Sequence, residues 1–339
     1  MIARDPHSAA VQDFGGDPAT FPNILAAASY SRDQIAKARA ALGALTQQPV
    51  GLAALAIGSI GRYEALEASD VDFALLYDPD RADEPSASSA RAAMMDPLKN
   101  AGFEDISEKT FVDPMDVSSL LTDVGGKDDT NLSLTYRALI LTEAAWLYNV
   151  AEGKALAERI INVYQSGLST RGRFLTSLSN DLHRYYRTLC VDYRFKIEQE
   201  NKGWAIRNMK LRHARKLWHL ANLCLQCAAA SKESVDEHDG MLAQHLSEPP
   251  LLKLVTAMKE TGGLSVCSDV WALYDNFLAS IRDPAFRAAL DSVEYADRDQ
   301  SPEFTRIHDN AVAFDEATER VVDHLLEEHK PFVIRFGIL

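Results

Sequence analysis

The apolar positions change rhythm several times over the first half of the chain and then settle into one. Residues 1–20 carry Pro, Gly, Asp and Ser without periodicity and predict a loose arm. Residues 21–46 are rich in Ala and Leu and predict one or two helices. Gly51-Leu-Ala-Ala-Leu-Ala-Ile57 is a continuous apolar run closed by Gly58-Ser59. Periodicity leaves helix and buried strand open for so short a run, and the glycine punctuation favours a strand. Val71-Asp-Phe-Ala-Leu-Leu-Tyr77 is a second buried-strand candidate, ended by Asp78-Pro79-Asp80. Residues 86–101 read as a helix with Met94, Met95 and Leu98 on one side, and 103–112 alternates loosely as a third strand. Residues 130–150 predict one amphipathic helix with Leu134, Leu139, Leu141 and Trp146 among its apolar positions.

From residue 151 onward helical periodicity dominates, most clearly over 154–166, 171–199, 204–230, 251–260, 269–281 and 310–329. Loops are expected near Pro249-Pro250 and over 296–303, and the tail 331–339 reads as extended and apolar. No internal repeat is visible. The pattern predicts an α+β fold: an N-terminal arm with helices (1–45), a small mixed-sheet domain (46–150) and a larger all-α domain (151–339).

Composition narrows the partners. The 339 residues are 47% hydrophobic and 25% charged, ordinary for a globular protein. Net charge is −14, which disfavours long nucleic acid and anionic membranes unless a local basic patch exists. No run of 18 apolar residues and no apolar leader segment occur, so no membrane span and a cytoplasmic location are expected. Cys190, Cys224, Cys227 and Cys267 form no disulfide framework, and Cys224-x-x-Cys227 in a Leu/Ala-rich helix reads as core. His238-Asp239 and His308-Asp309 read as loop and cap residues, and Gly125-Gly126 as a turn before a helix capped by Thr130 or Asp129.

The stretch with chemical content is Gly58-Ser59-Ile-Gly61-Arg62-Tyr-Glu64-Ala-Leu-Glu-Ala-Ser69-Asp70-Val-Asp72. Glycines allow a sharp turn and close approach to a ligand. A serine in such a turn, with backbone N–H groups beside it, suits triphosphate oxygens. Asp70 and Asp72 alternate on a predicted strand, so both carboxylates share a face. Two carboxylates with phosphate oxygens are a typical Mg²⁺ donor set. Metals held so can activate an attacking oxygen and stabilise a pyrophosphate leaving group.

This pattern resembles the DNA polymerase β-type nucleotidyltransferase superfamily, whose signature is Gly-Ser, about a dozen residues, then Asp-x-Asp. The fuller form with Arg62, Glu64 and Ser69 is similar to the PII-uridylyltransferase-like branch. The resemblance implies catalytic and metal-holding roles for Asp70 and Asp72, and nucleotide-binding roles for Gly58, Ser59 and Ser69. It also implies a third carboxylate from a later strand, for which Asp105 is favoured over Glu108 and Asp113, although some relatives lack one. Arg62 either grips a phosphate with its fork of donors or pairs with Glu64 or Asp72 to hold the turn.

Residues 181–219 are the most basic portion of this acidic chain, a place for a triphosphate or an acidic partner. Lys202-Gly203-x-x-x-Arg207-Asn208 resembles the Lys-x-Gly-x-Gly-Gly-Leu-Arg-Asp segment of the uridylyltransferases, with Trp204 and Ala205 in place of two glycines. The resemblance implies that Lys202 and Arg207 face the nucleotide. The alternative is a solvated helix face with internal Asp–Arg pairs. Tyr185, Tyr186, Trp204 and Trp218 could stack a base, but aromatic residues at helical spacing are more often core.

The resulting expectation is Mg²⁺- or Mn²⁺-dependent transfer of a nucleoside monophosphate from an NTP, ATP included, to an acceptor hydroxyl, with pyrophosphate released. A protein or small-molecule acceptor is favoured over long nucleic acid. The rivals are a non-catalytic nucleotide sensor and a toxin–antitoxin-type nucleotidyltransferase.

Overall fold

A computed structural model describes residues 5–45, 49–103, 106, 111–166, 175–200 and 202–334. The first half runs α1 (Pro6–Asp13), α2 (Pro22–Gly43), β1 (Leu52–Ile57), β2 (Asp72–Tyr77), α3 (Glu84–Asn100) and β3 (Met115–Asp116). It continues with a single turn α4 (Ser118–Leu121), α5 (Asn131–Glu143), β4 (Ala145–Tyr148) and α6 (Val150–Ser166). The second half is helical: α7 (Thr176–Glu198), α8 (Trp204–Lys210), α9 (Lys216–Ala230) and α10 (Val235–His245). Then follow α11 (Pro250–Thr261), α12 (Cys267–Arg282), α13 (Pro284–Asp291) and α14 (Pro302–Phe332). The layout is α+β, as the hydrophobic pattern predicts. Among the described residues no helix is long and apolar enough to cross a membrane.

The chain divides into two compact units. One is Ala27–Leu168 with Ser247–Pro249; the other gathers Met1–Ala26, Ser169–Leu246 and Pro250–Leu339. The first unit holds a four-stranded sheet of order β3-β2-β1-β4. β1 is antiparallel to β2 and to β4, while β2 and β3 are parallel. β1 is buried at all six positions, which is why its Leu-Ala-Ala-Leu-Ala-Ile sequence forms a strand despite good helix formers. Leu52, Ala54 and Ala56 share a core with Ile35, Ala38 and Leu42 of α2 and with Ala87, Met94 and Leu98 of α3. α5 and α6 also lie against β1.

Several local expectations need correction. Residues 6–13 are helical, because the Asp5 carboxylate accepts from Ser8 N–H at 2.9 Å and Pro6 occupies the first turn. The predicted helix over 130–150 starts as expected, with Thr130 Oγ1 accepting from Ser133 N–H at 3.0 Å, but ends at Glu143. Ala145–Tyr148 then pairs with β1 as β4, a partner that no local pattern reveals. Of the predicted strand 103–112, Ile106 forms a bridge to Val71, and residues 104–105 and 107–110 lie outside the described residues. The named strand β3 falls later, at 115–116. The tail is not extended as far as it is described, since Pro331 and Phe332 end α14; residues 335–339 lie outside the described residues. The loop predicted over 296–303 is instead a 3-10 turn (Tyr295–Gln300) followed by the start of α14. His238-Asp239 and His308-Asp309 sit within α10 and α14 rather than in loops.

The helical unit is built on large buried aromatics, among them Trp218, Trp271, Tyr274, Phe277 and Phe314. Cys224, Cys227 and Cys267 are buried there too, and burial pushes the thiols of Cys227 and Cys267 up to about 12. α8 runs into α9 through a π-helical segment, Leu211–Arg215, which presents His213 to the core. His213 stacks on Phe277 with centroids 4.3 Å apart. Its Nδ1 faces the Met209 carbonyl at 2.9 Å, which can only accept, so Nδ1 carries the hydrogen. Its Nε2 then accepts from Asn310 Nδ2 at 3.0 Å, and the ring is neutral. Burial depresses its pKa to about 4, with the Met209 bond opposing and Arg212 adding to the shift.

The unfolded chain therefore takes up a proton at His213 below about pH 6.5 while the folded chain does not. Stability should fall as pH drops from about 6.5 towards 4, by roughly 3 kcal/mol from this group at the acid end. Urea titrations between pH 7.5 and 4.5 check this: His213→Gln should be less stable at pH 7.5 yet lose less on acidification. Parallel pH dependences in both proteins would contradict it.

Candidate active site

β1 and β2 pair so that Ile57 lies opposite Asp72. The chain leaves β1 at Gly58 and re-enters the sheet at Asp72, so the glycine turn and this aspartate meet at one end of the strand pair. Gly58 has φ 70°, and a Cβ placed on it would lie 2.6 Å from Asp72 Oδ2. The left-handed backbone favours glycine here, and any side chain would also have to displace the Asp72 carboxylate.

The turn then coils like the start of a helix. Arg62 N–H donates to the Gly58 carbonyl at 3.0 Å, Tyr63 N–H to Ile60 at 3.1 Å, and Glu64 N–H to Ser59 at 2.9 Å. Each trans peptide holds its C=O and N–H in opposite directions. Fixing the carbonyls of Gly58, Ser59 and Ile60 thus aims the N–H groups of Ser59, Ile60 and Gly61 to the other side. That is the arrangement which favours anions at a helix start. Tyr63 closes the turn at φ 60°, a conformation that costs an aromatic residue local strain.

The turn is held from three directions. Gly61 lies so close to the end of α5 that a Cβ on it would sit 1.8 Å from the Glu143 carbonyl oxygen. Arg62 points inward, with only 5% of its surface exposed. Its Nε donates to Glu64 Oε1 at 2.5 Å and its Nη1 pairs with Glu143 Oε2. Ser31 of α2 is fully buried; its Oγ donates to the Ala27 carbonyl at 2.8 Å and accepts from Ala65 N–H at 3.1 Å. Ser69 closes a second small turn, its Oγ accepting from Leu66 N–H at 3.0 Å, and so delivers Asp70 to the start of β2.

Asp70 is exposed and Asp72 half-buried, with Val71 between them bridged to Ile106. Their donor type suits a hard cation. Among the described residues no cluster of three or more His, Cys, Asp or Glu side chains is arranged to hold a metal. Asp105 lies outside the described residues.

The structure thus brings together Gly58, Ser59, Asp72 and the adjoining Asp70, with Ser69 supporting the loop. Arg62 is occupied by carboxylates within the same unit. Lys202 and Arg207 belong to the helical unit. Arg207 Nη1 donates to the Gly203 carbonyl at 2.9 Å and stands 4.0 Å from Asp291. Much of the basic stretch is paired internally: Arg184 with Asp181 at 3.4 Å, Lys196 with Asp192 at 2.7 Å, and Arg212 and Lys216 with Asp315. Tyr185 packs edge-on to Trp218 in the core, and Tyr186 stacks on His219. Glu143 and Ser31 were not among the sequence-derived site residues. A serine inside an Ala-rich helix and an acid at a helix end carry no signal of a distant partner.

Comparison with known families agrees with this geometry at the level of class. Residues 19–114 match the family model described as "Putative nucleotidyltransferase DUF294", which supports a nucleotidyltransferase family for this part of the chain. No curated protein and no solved structure matches the chain.

Both glycines can be probed directly. Gly58→Ala should lower stability by about 1–2 kcal/mol from the left-handed backbone alone, and it should displace Asp72. Gly61→Ala meets backbone that cannot swing aside and should cost about 3 kcal/mol. Denaturant unfolding measures both, and a Gly61→Ala protein as stable as the wild type would contradict the contact with α5.

Proposed function

We propose that this chain is a Mg²⁺- or Mn²⁺-dependent nucleotidyltransferase that moves a nucleoside monophosphate from an NTP to an acceptor hydroxyl. The observation that carries the reading is the direct apposition of the Gly58 turn and the Asp72 carboxylate, 2.6 Å from the position of a Cβ on Gly58. It puts an anion-favouring run of N–H groups next to a cation-favouring carboxylate, which is what a metal-bound triphosphate needs.

In this reading Ser59 and the turn's N–H groups bind the triphosphate, and Asp70 and Asp72 hold the divalent cation. When bound, the cation supplies positive charge for the departing pyrophosphate and lowers the pKa of the attacking hydroxyl. The acceptor oxygen forms a bond to the α-phosphorus while the bond to the bridging oxygen of pyrophosphate breaks. Pyrophosphate leaves with that electron pair, and the hydroxyl proton passes to a carboxylate or to solvent. Asp105 is proposed as a third carboxylate because it directly precedes Ile106, the residue that bridges to Val71 between the two aspartates. Arg62 is assigned to holding the turn rather than to gripping phosphate, since Glu64 and Glu143 occupy its fork. The reading does not depend on Lys202 or Arg207. A protein or small molecule is the proposed acceptor, because a net charge of −14 repels long nucleic acid.

The test is incubation with each α-labelled NTP, Mg²⁺ or Mn²⁺, and a cell extract. Label should move to an acceptor with the wild type and fall at least about a hundredfold in Asp70→Asn and Asp72→Asn, the scale of losing a principal electrostatic group. Tight NTP binding with no transfer under any condition would replace the enzyme by a nucleotide sensor. No binding and no transfer would end both.

A further inference from the structure

Glu143 stands apart among the residues around the turn. It is the last residue of α5, and only 1% of its surface is exposed. A carboxylate there opposes the negative end of the helix dipole and loses its hydration. A helix terminus chosen for its own stability would carry a cation or a neutral residue. The pairing with Arg62 Nη1 offsets part of both costs. The same residue's carbonyl oxygen abuts Gly61. One residue therefore touches the turn twice, by side chain and by backbone. It lies outside residues 19–114, the segment matched by the family model.

We propose that Glu143 is a positioning residue for nucleotide binding, acting through Arg62; this rests on the nucleotidyltransferase reading of the same site. The mechanical path is short. Glu143 holds the Arg62 guanidinium, and the Arg62 N–H holds the Gly58 carbonyl at 3.0 Å. The Gly58 carbonyl shares a rigid peptide plane with the Ser59 N–H. Gly58 in turn abuts the Asp72 carboxylate. Loosening Glu143 thus tilts the first N–H of the phosphate-facing run and the metal-facing carboxylate together. Displacements of this kind, well short of unfolding, are enough to weaken a preorganised site.

The experiment uses the full chain with ATP, GTP, CTP and UTP in turn as Mg²⁺ complexes, measured by calorimetric titration. Hydrogen exchange of residues 58–64 is followed in parallel. Glu143→Gln keeps the shape and removes the charge. It should melt cooperatively, bind the nucleotide that the wild type prefers at least tenfold more weakly, and exchange faster at 58–64 while β1 and β2 stay protected. Glu143→Asp, which keeps the charge, should recover part of the affinity, and it carries the test if Glu143→Gln does not fold. Unchanged affinity and unchanged exchange at 58–64, with only a lower melting temperature, would overturn the inference and leave the nucleotidyltransferase reading intact. A wild type that binds none of the four nucleotides would overturn that reading, and this inference with it.

Discussion

The candidate site depends on a single guanidinium buried between two carboxylates. Arg62 is a poor candidate for a stabilising residue in the ordinary sense. Buried ion pairs often do no better than apolar replacements, although removing one partner alone typically costs about 3–5 kcal/mol. What a buried pair does supply is direction, because a desolvated charge cannot drift from its partner. Arg62 emerges from the turn that touches Asp72, so its fixed direction becomes the direction of the turn. Arginine suits this task because its fork is planar and stays charged when buried.

The same device recurs within α5. Arg137 is fully buried and grips Asp129 with two bonds of 2.9 and 2.7 Å, while its Nε donates to the Tyr164 hydroxyl at 2.9 Å. Asp129 also accepts from Gly125 N–H at 2.8 Å, so the loop before the helix is tied to the helix body. α5 is thus a strut of 13 residues, tied to the loop before it by the arginine at its midpoint and meeting Arg62 at its end. β4 follows directly and adds a strand beside β1. The turn at 58–64 is therefore braced by an element that is itself immobilised on two sides.

The local parts of this arrangement were legible in the sequence. An apolar run closed by Gly58, a second run opening near Asp72 and their short separation predict a strand, a turn and a strand. The non-local parts were hidden for physical reasons. Residues 131–148 carry apolar side chains at spacings that fit a helix throughout, and neither Gly nor Pro marks the break at Ala144. Pairing with β1, some 90 positions earlier in sequence, makes β4 a strand. The sequence leaves both readings of Arg62, phosphate ligand or internal pair, because Glu64 is visible beside it and Glu143, 81 residues away, is not. α1 is the opposite case. Asp5-Pro6 is a legible helix start, but the missing periodicity over residues 1–20 masks the short helix behind it.

The inward turn of Arg62 has an electrostatic consequence for the proposed function. With its charge consumed by Glu64 and Glu143, the mouth of the turn presents Asp70 and Asp72 on a protein of net charge −14. A bare triphosphate approaching within the screening length, about 8 Å at physiological salt, meets like charge. Only the N–H groups of the turn attract it, and they act over a few ångströms. A divalent cation bound to the triphosphate lowers that repulsion and gives the two carboxylates a local positive centre to ligate. On this reading nucleotide and metal do not bind independently. Under the proposed function, the acidity that disfavours long nucleic acid as an acceptor also favours the metal complex over the free nucleotide.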